Sequence, residues 1–229
     1  MSHIPDQPRS APLSARVVRP AYSRAEQVSD GVVHVIGVAA AVAAVPVLIT
    51  LTAFWRGDVT AIVGISIYGG TFIAMLLCSA LYNMLPAQRW TPVLRGLDHS
   101  AIYFKIAGTY TPFTLLSGWP GAYLLGGLWT AAIAGSSLRI LAPERFRPVA
   151  IGLYLVMGWA GLFGGWALLQ TLSPVVLSLI VIGGLIYTTG VVFYLTDRLP
   201  FHTTIWHVFV LVASFVFYAA VLTHVAQTS

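Results

Sequence analysis

The segment FHTTIWH, Phe201 to His207, sets two histidines five positions apart at the head of an apolar run. Imidazoles suggest a metal site, but five residues turn an α-helix through ~500°, which leaves the side chains about 140° apart. Zinc needs its donor atoms about 2 Å from one point in tetrahedral array, which a regular helix cannot offer from positions 202 and 207. Thr203 lies about 40° from His207 and presents a hydroxyl on the same face. His202 reads as a headgroup-level residue. His207 is followed by VFVLVASFVF, and an imidazole at that depth requires a polar partner inside the protein.

Other groups with chemistry sit at matching places. Ser79 and Asn83 are four residues apart on one helical face, and Asp98–His99 and Asp30/His34 open two further apolar stretches. Asp30 and Asp98 can be read as carboxylates capping helix N-termini, and His99 as a group in the headgroup layer. Lys105 follows Asp98 by seven positions and returns to nearly the same face. Its ammonium either snorkels to the nearest headgroups or leans back toward Asp98.

The elements that position these groups follow from composition. The chain has 229 residues, 58% hydrophobic and 8% charged, too apolar for a water-soluble domain of this size. Its apolar runs are continuous and about 20 residues long, which suits helices crossing a bilayer core of ~30 Å and disfavours a β-barrel. The expected fold is therefore an all-α bundle of seven spans, roughly 31–54, 60–84, 96–117, 120–140, 149–169, 173–195 and 202–226. Residues 1–29 read as a disordered cytoplasmic tail without a secretory leader, and 30–229 as one transmembrane domain. The lone cysteine, Cys78, excludes an intrachain disulfide.

Arg9, Arg16, Arg19, Arg24, Arg89, Arg95, Arg139, Arg145, Arg147 and Arg198 all fall on one side of that topology, against Arg56 on the other. The positive-inside rule then places the N-terminus in the cytoplasm and the C-terminus outside. The net charge of +5 is explained by this topology and by anionic lipid, with no nucleic-acid partner required. The same orientation brings the polar groups of the first, second, third and seventh spans to one depth, within about 10 Å of the cytoplasmic face. Glycine pairs at 69–70, 126–127, 164–165 and 183–184 are expected at close helix contacts, and Pro46 and Pro112 at kinks.

The segments EQVSDGVVHVIG (26–37), SALYN (79–83), LDHSAIYFKIAGTYTPF (97–113), YLVMGW (154–159) and LPFHTTIWHVFVL (199–211) resemble the hemolysin III family. That family is grouped with the adiponectin and progestin receptors and, more distantly, the alkaline ceramidases. The resemblance implies seven spans with the N-terminus inside and a zinc ion near the cytoplasmic face held by three histidines. It implies that Ser79 and Asp98 occupy the serine and water-orienting aspartate positions, and that His207 is one of the three ligands. Asn83 and Thr203 stand where the other two histidines would be, and amide or hydroxyl oxygens are poor donors to zinc.

Three functions follow as expectations. One is a non-enzymatic protein of the bacterial inner membrane whose partners are membrane lipids, sensing or binding them or altering permeability, as the cytolytic family label implies. The second is a ceramidase-like hydrolase of lipid amides using metal-activated water beside Asp98. The third keeps the fold without the metal, with an Asp98–His207 hydrogen-bonded pair and Lys105 nearby.

Overall fold

Ser23-Arg-Ala-Glu26 is a capping box, and it starts the first helix. The Ser23 hydroxyl accepts from the Glu26 N–H at 3.2 Å while the Glu26 carboxylate accepts from the Ser23 N–H at 2.8 Å. In this computed structural model, which describes residues 22–86, 89–118, 121–141 and 147–229, α1 therefore runs from Arg24 to Trp55. It begins inside the stretch expected to be a disordered tail, because the box satisfies the first N–H groups of the helix. Arg9, Arg16, Arg19, Arg145 and the tail up to residue 21 lie outside the described residues.

The remaining helices are α2 (Val59–Met84), α3 (Thr91–Leu116), α4 (Ala122–Leu141), α5 (Arg147–Gly158), α6 (Ala160–Gly164), α7 (Trp166–Leu169), α8 (Pro174–Leu195) and α9 (His202–Gln227). Gly57, at φ +69°, makes the turn that lets Asp58 cap α2 through the Ala61 N–H at 2.8 Å. Ser173 caps α8 ahead of Pro174 in the same way. Five helices, α1, α2, α4, α8 and α9, are both long and apolar enough to cross a membrane. α3 has comparable length at 26 residues but carries Arg95, Asp98 and Lys105.

Two expectations about helix ends need correction. α3 starts at Thr91 with Pro92 in its first turn, so Asp98 lies two turns inside the helix and caps nothing. Asp30 likewise lies inside α1, whose cap is Ser23.

The expected fifth span is divided into α5, α6 and α7. The sequence GWAGLFGGW places four glycines in nine residues, which weakens helix propagation. Tyr110 of α3 completes the break: its hydroxyl donates to the Gly158 carbonyl at 2.9 Å and accepts from the Gly161 N–H at 2.9 Å. Backbone groups freed at membrane depth need a partner from a neighbouring helix, and this side chain provides it.

α1 and α9 run parallel and touch at both ends. The Phe201 N–H donates to Glu26 at 2.9 Å at one end, and Arg56 donates to the Thr228 carbonyl at the other. α9 also packs on α8, α2 on α1 and α3, and α3 on α4. Small residues permit these approaches: a Cβ on Gly135 would lie 2.6 Å from Tyr103, and one on Gly183 2.8 Å from Phe217. Gly69 meets Val45 as closely, whereas Gly126 and Gly127 have nothing within 4 Å among the described residues, so that pair packs no helix.

Replacing Tyr110 by Phe keeps the ring and removes both bonds to the break. The variant is expected to lose about 1–3 kcal/mol of stability, measured as a lower melting temperature in detergent. A wild-type melting curve would contradict this account of the break.

Candidate functional site

α1 and α9 join at a buried cluster. The Asp30 carboxylate receives His207 Nδ1 at 2.6 Å through one oxygen and lies 3.3 Å from His34 Nε2 through the other. The two imidazoles lie 4.4 Å apart between centroids, and all three residues are buried. Asp30 and His34 are one turn apart on the same face of α1, which fixes their spacing before any packing occurs. An ionised carboxylate can only accept, so Nδ1 of His207 carries the proton.

A second group of polar side chains lies on α2, α3 and α4. The Ser79 side chain lies beside the Asp98 carboxylate, and His99 Nε2 lies 4.0 Å from the same carboxylate. Arg139 contacts His99 through Nδ1, and the Tyr154 hydroxyl donates to the His99 carbonyl at 2.9 Å. His99, expected in the headgroups, thus belongs to the site. Arg139, counted as a loop cation, folds inward and is buried.

Asn83 and Thr203 are engaged elsewhere. The Asn83 amide donates to the Ser79 carbonyl at 3.0 Å, and the Thr203 hydroxyl donates to the Tyr22 hydroxyl at 3.0 Å. His202 sits at the end of α9 with Nδ1 3.1 Å from the Leu199 carbonyl and its ring 5.9 Å from that of Tyr22. Among the described residues no hydrogen bond joins Asp98 to His207. The partner of His207 is Asp30 instead, because α1 packs alongside α9 and turns Asp30 toward it.

Lys105 follows neither of its expected courses. Its Nζ donates to Thr109 Oγ1 at 2.9 Å, one turn further along α3 and away from both Asp98 and the arginine-rich end. The side chain is buried over the rings of Tyr68, Phe72 and Phe217 at 5.0, 5.1 and 5.8 Å.

Asp30, His34, Ser79, Asp98, His99, Lys105 and His207 border one cavity of about 1150 Å³. It follows α3 from Arg95 to Phe113, about 27 Å of helix. One end carries Glu26, Asp30, Asp98 and His207, and the other is lined by residues such as Trp166, Leu172 and Leu177. The broken segment α5–α7 forms part of its wall through Gly158, Gly161 and Leu162.

The donor set for a metal differs from the one the resemblance implies. Donor atoms of Asp30, His34 and His207 lie within 4.8 Å of one another. His34 Nε2 is buried and lies 3.3 Å from the Asp30 carboxylate, outside good hydrogen-bond geometry. Two imidazoles and a carboxylate are donors that a divalent transition metal accepts, so this cluster can hold a metal ion. Asp30, placed by sequence among the polar groups at this depth but read as a helix cap, is instead the centre of the cluster. The signal that could have found it is its i, i+4 spacing to His34.

Removing the carboxylate strands two buried imidazoles. Asp30→Ala is expected to cost about 2–3 kcal/mol, read by thermal melting, against a smaller loss for the more exposed Glu26→Ala. Equal melting of Asp30→Ala and wild type would remove the cluster from the account of stability.

The comparisons with known proteins agree with this architecture. The family model described as haemolysin-III related matches residues 22–218. The chain is 37% identical over 199 residues to the hemolysin-3 homolog of Bacillus subtilis, covering 86% of this chain and 93% of that protein. It is 36% identical over 208 residues to hemolysin-3 of Bacillus cereus, covering 89% and 94%. It is 30% identical over 165 residues to the human monocyte to macrophage differentiation factor, covering 68% and 67%. An α-helical integral membrane protein with a polar cluster at one end of its bundle, this chain belongs to the haemolysin-III-related family.

Proposed function

We propose that the protein binds a long-chain lipid in the cavity between its helices, with the lipid's polar group at the Asp30–Asp98 end. The observation that carries this reading is the continuity of the cavity, which joins a buried polar cluster to an apolar channel within one space. Its volume of about 1150 Å³ is at the upper end of ordinary small-molecule sites. α3 and α5–α7 complete a seven-span topology in the bacterial inner membrane. Arg24, Arg89, Arg95, Arg139 and Arg198 support a cytoplasmic polar end, opposite Arg56.

A fluorescent long-chain lipid is expected to bind the purified protein in nanodiscs. Ile180→Trp, which fills the apolar end, should weaken binding about tenfold, equivalent to ~1.4 kcal/mol, without lowering the melting temperature. Unchanged affinity in a folded Ile180→Trp variant would refute the placement. The Bacillus relatives are named as hemolysins, so dye release from vesicles is the companion assay. Release that follows protein dose and is unaffected by filling the cavity would favour a permeability role over lipid binding.

The second reading, metal-dependent hydrolysis of a lipid amide, is favoured by the neighbourhood of Asp30, His34 and His207 to Asp98. Asp30, His34 and His207 would hold zinc, which supplies Lewis-acid chemistry at a scissile carbonyl. Asp98, beside Ser79, is placed to accept a proton from water entering the cavity. Zinc held by these side chains should accompany the purified wild-type protein and be removed by a chelator. Elemental analysis of wild type and His34→Gln tests this, and release of fatty acid from a ceramide-like amide with Asp98→Ala as control tests the hydrolysis. Zinc content that is unchanged in His34→Gln would place any metal elsewhere.

A further inference from the structure

Lys105 is the only lysine in the chain, and the other eleven of its twelve Lys and Arg residues are arginines. It lies seven residues beyond Asp98, about 10 Å deeper along α3, and borders the same cavity. The polar site described above makes no use of it. An arginine stays charged in a protein and grips anions with two parallel hydrogen bonds, whereas a lysine can shed its proton and act as a nucleophile. A chain that uses arginine at every other cationic position has at this one position the side chain able to do so.

The surroundings of Nζ suit a neutral amine. Among the described residues, Thr109 Oγ1 is its single hydrogen-bond partner, at 2.9 Å. The Thr109 hydroxyl proton is itself given to the Lys105 carbonyl at 2.7 Å, so that oxygen can only accept from Nζ. An ammonium would have three N–H groups and one acceptor, with no carboxylate in ion-pair range among the described residues. A neutral amine donates to Thr109 and keeps a lone pair available for attack, while the ring faces of Tyr68, Phe72 and Phe217 at 5.0, 5.1 and 5.8 Å from Nζ offset part of the cost of a cation there.

We propose that Lys105 is a site of reversible covalent attachment for a long-chain aldehyde, held as an imine within the cavity. The proposal rests on the reading that the cavity admits a lipid chain. The Nζ lone pair attacks the carbonyl carbon, forming a C–N bond, and one N–H proton passes to the oxygen to give a carbinolamine. The C–O bond then breaks, and the oxygen leaves as water with the second N–H proton, giving C=N. No oxidant or reductant is consumed. The apolar walls limit the water that would hydrolyse the product. When the imine is protonated, the three ring faces provide cation–π stabilisation where no carboxylate stands opposite.

The test uses the full-length protein in nanodiscs, incubated with hexadecanal and then with borohydride, which reduces an imine to a stable secondary amine. Peptide mapping is expected to place one hexadecyl group on Lys105, at a yield at least about tenfold above that from a short water-soluble aldehyde. Lys105→Arg should abolish that adduct and leave N-terminal alkylation unchanged. Because the site is read in the wild-type chain, the result does not depend on the variant folding. Alkylation of the N-terminal amine without Lys105 overturns the proposal, as does equal reaction with the short aldehyde. Binding of hexadecanol, which cannot form an imine, separates the two layers. If hexadecanol binds and Lys105 stays unmodified, the covalent site falls and the lipid cavity stands; if hexadecanol does not bind, both fall.

Discussion

A buried carboxylate in an apolar bundle must be matched by donors, and Asp30 is matched by the last helix. Its 2.6 Å bond to His207 joins α1 to α9, and Glu26 repeats the link one turn earlier by accepting from the Phe201 N–H. Phe201 has φ 59°, a left-handed conformation that costs free energy for a bulky side chain, and the bond to Glu26 helps hold it there. The first and last helices are thereby fixed parallel and in register. The polar end of the cavity is assembled from both, so the site depends on this contact more than on any other.

The cavity depends on a second compensation. A continuous fifth helix would satisfy its own backbone and leave Tyr110 without these partners. The glycine-rich segment breaks instead, and one phenol hydroxyl serves both a stranded carbonyl and a stranded N–H. The irregular backbone then stands where it lines a cavity, which is the place in a membrane protein where such backbone is tolerated. Close contacts at Gly135 and Gly183 bring the neighbouring helices into tight packing around this space.

Hydrogen bonds at the polar end hold two further side chains to their own neighbours. Asn83 donates to the Ser79 carbonyl and Thr203 donates to the Tyr22 hydroxyl. The donor atoms able to hold a metal are those of Asp30 and His34 on α1 and His207 facing them. Asp98 and Ser79 keep each other company beside His99 and Arg139. Asp98 and the Asp30 cluster thus border the same end of the cavity.

The membrane class, the long apolar helices and the gathering of polar residues at one end were legible in the sequence. They follow from quantities local to the chain: continuous apolar runs, the placement of arginines, and residues repeating every three or four positions. The capping box at Ser23 and the glycine-rich break near Trp159 were equally local, although their consequences were not drawn from the sequence. Partner choice was a different matter. Asp98 and Asp30 are both carboxylates at similar depth, and periodicity gives no means of deciding which one reaches His207. The same holds for Lys105, whose amine turned to Thr109 on its own helix and to three aromatic rings on α2 and α9. Such pairings depend on how helices distant in sequence rotate against one another, and that rotation is set by packing across the whole bundle.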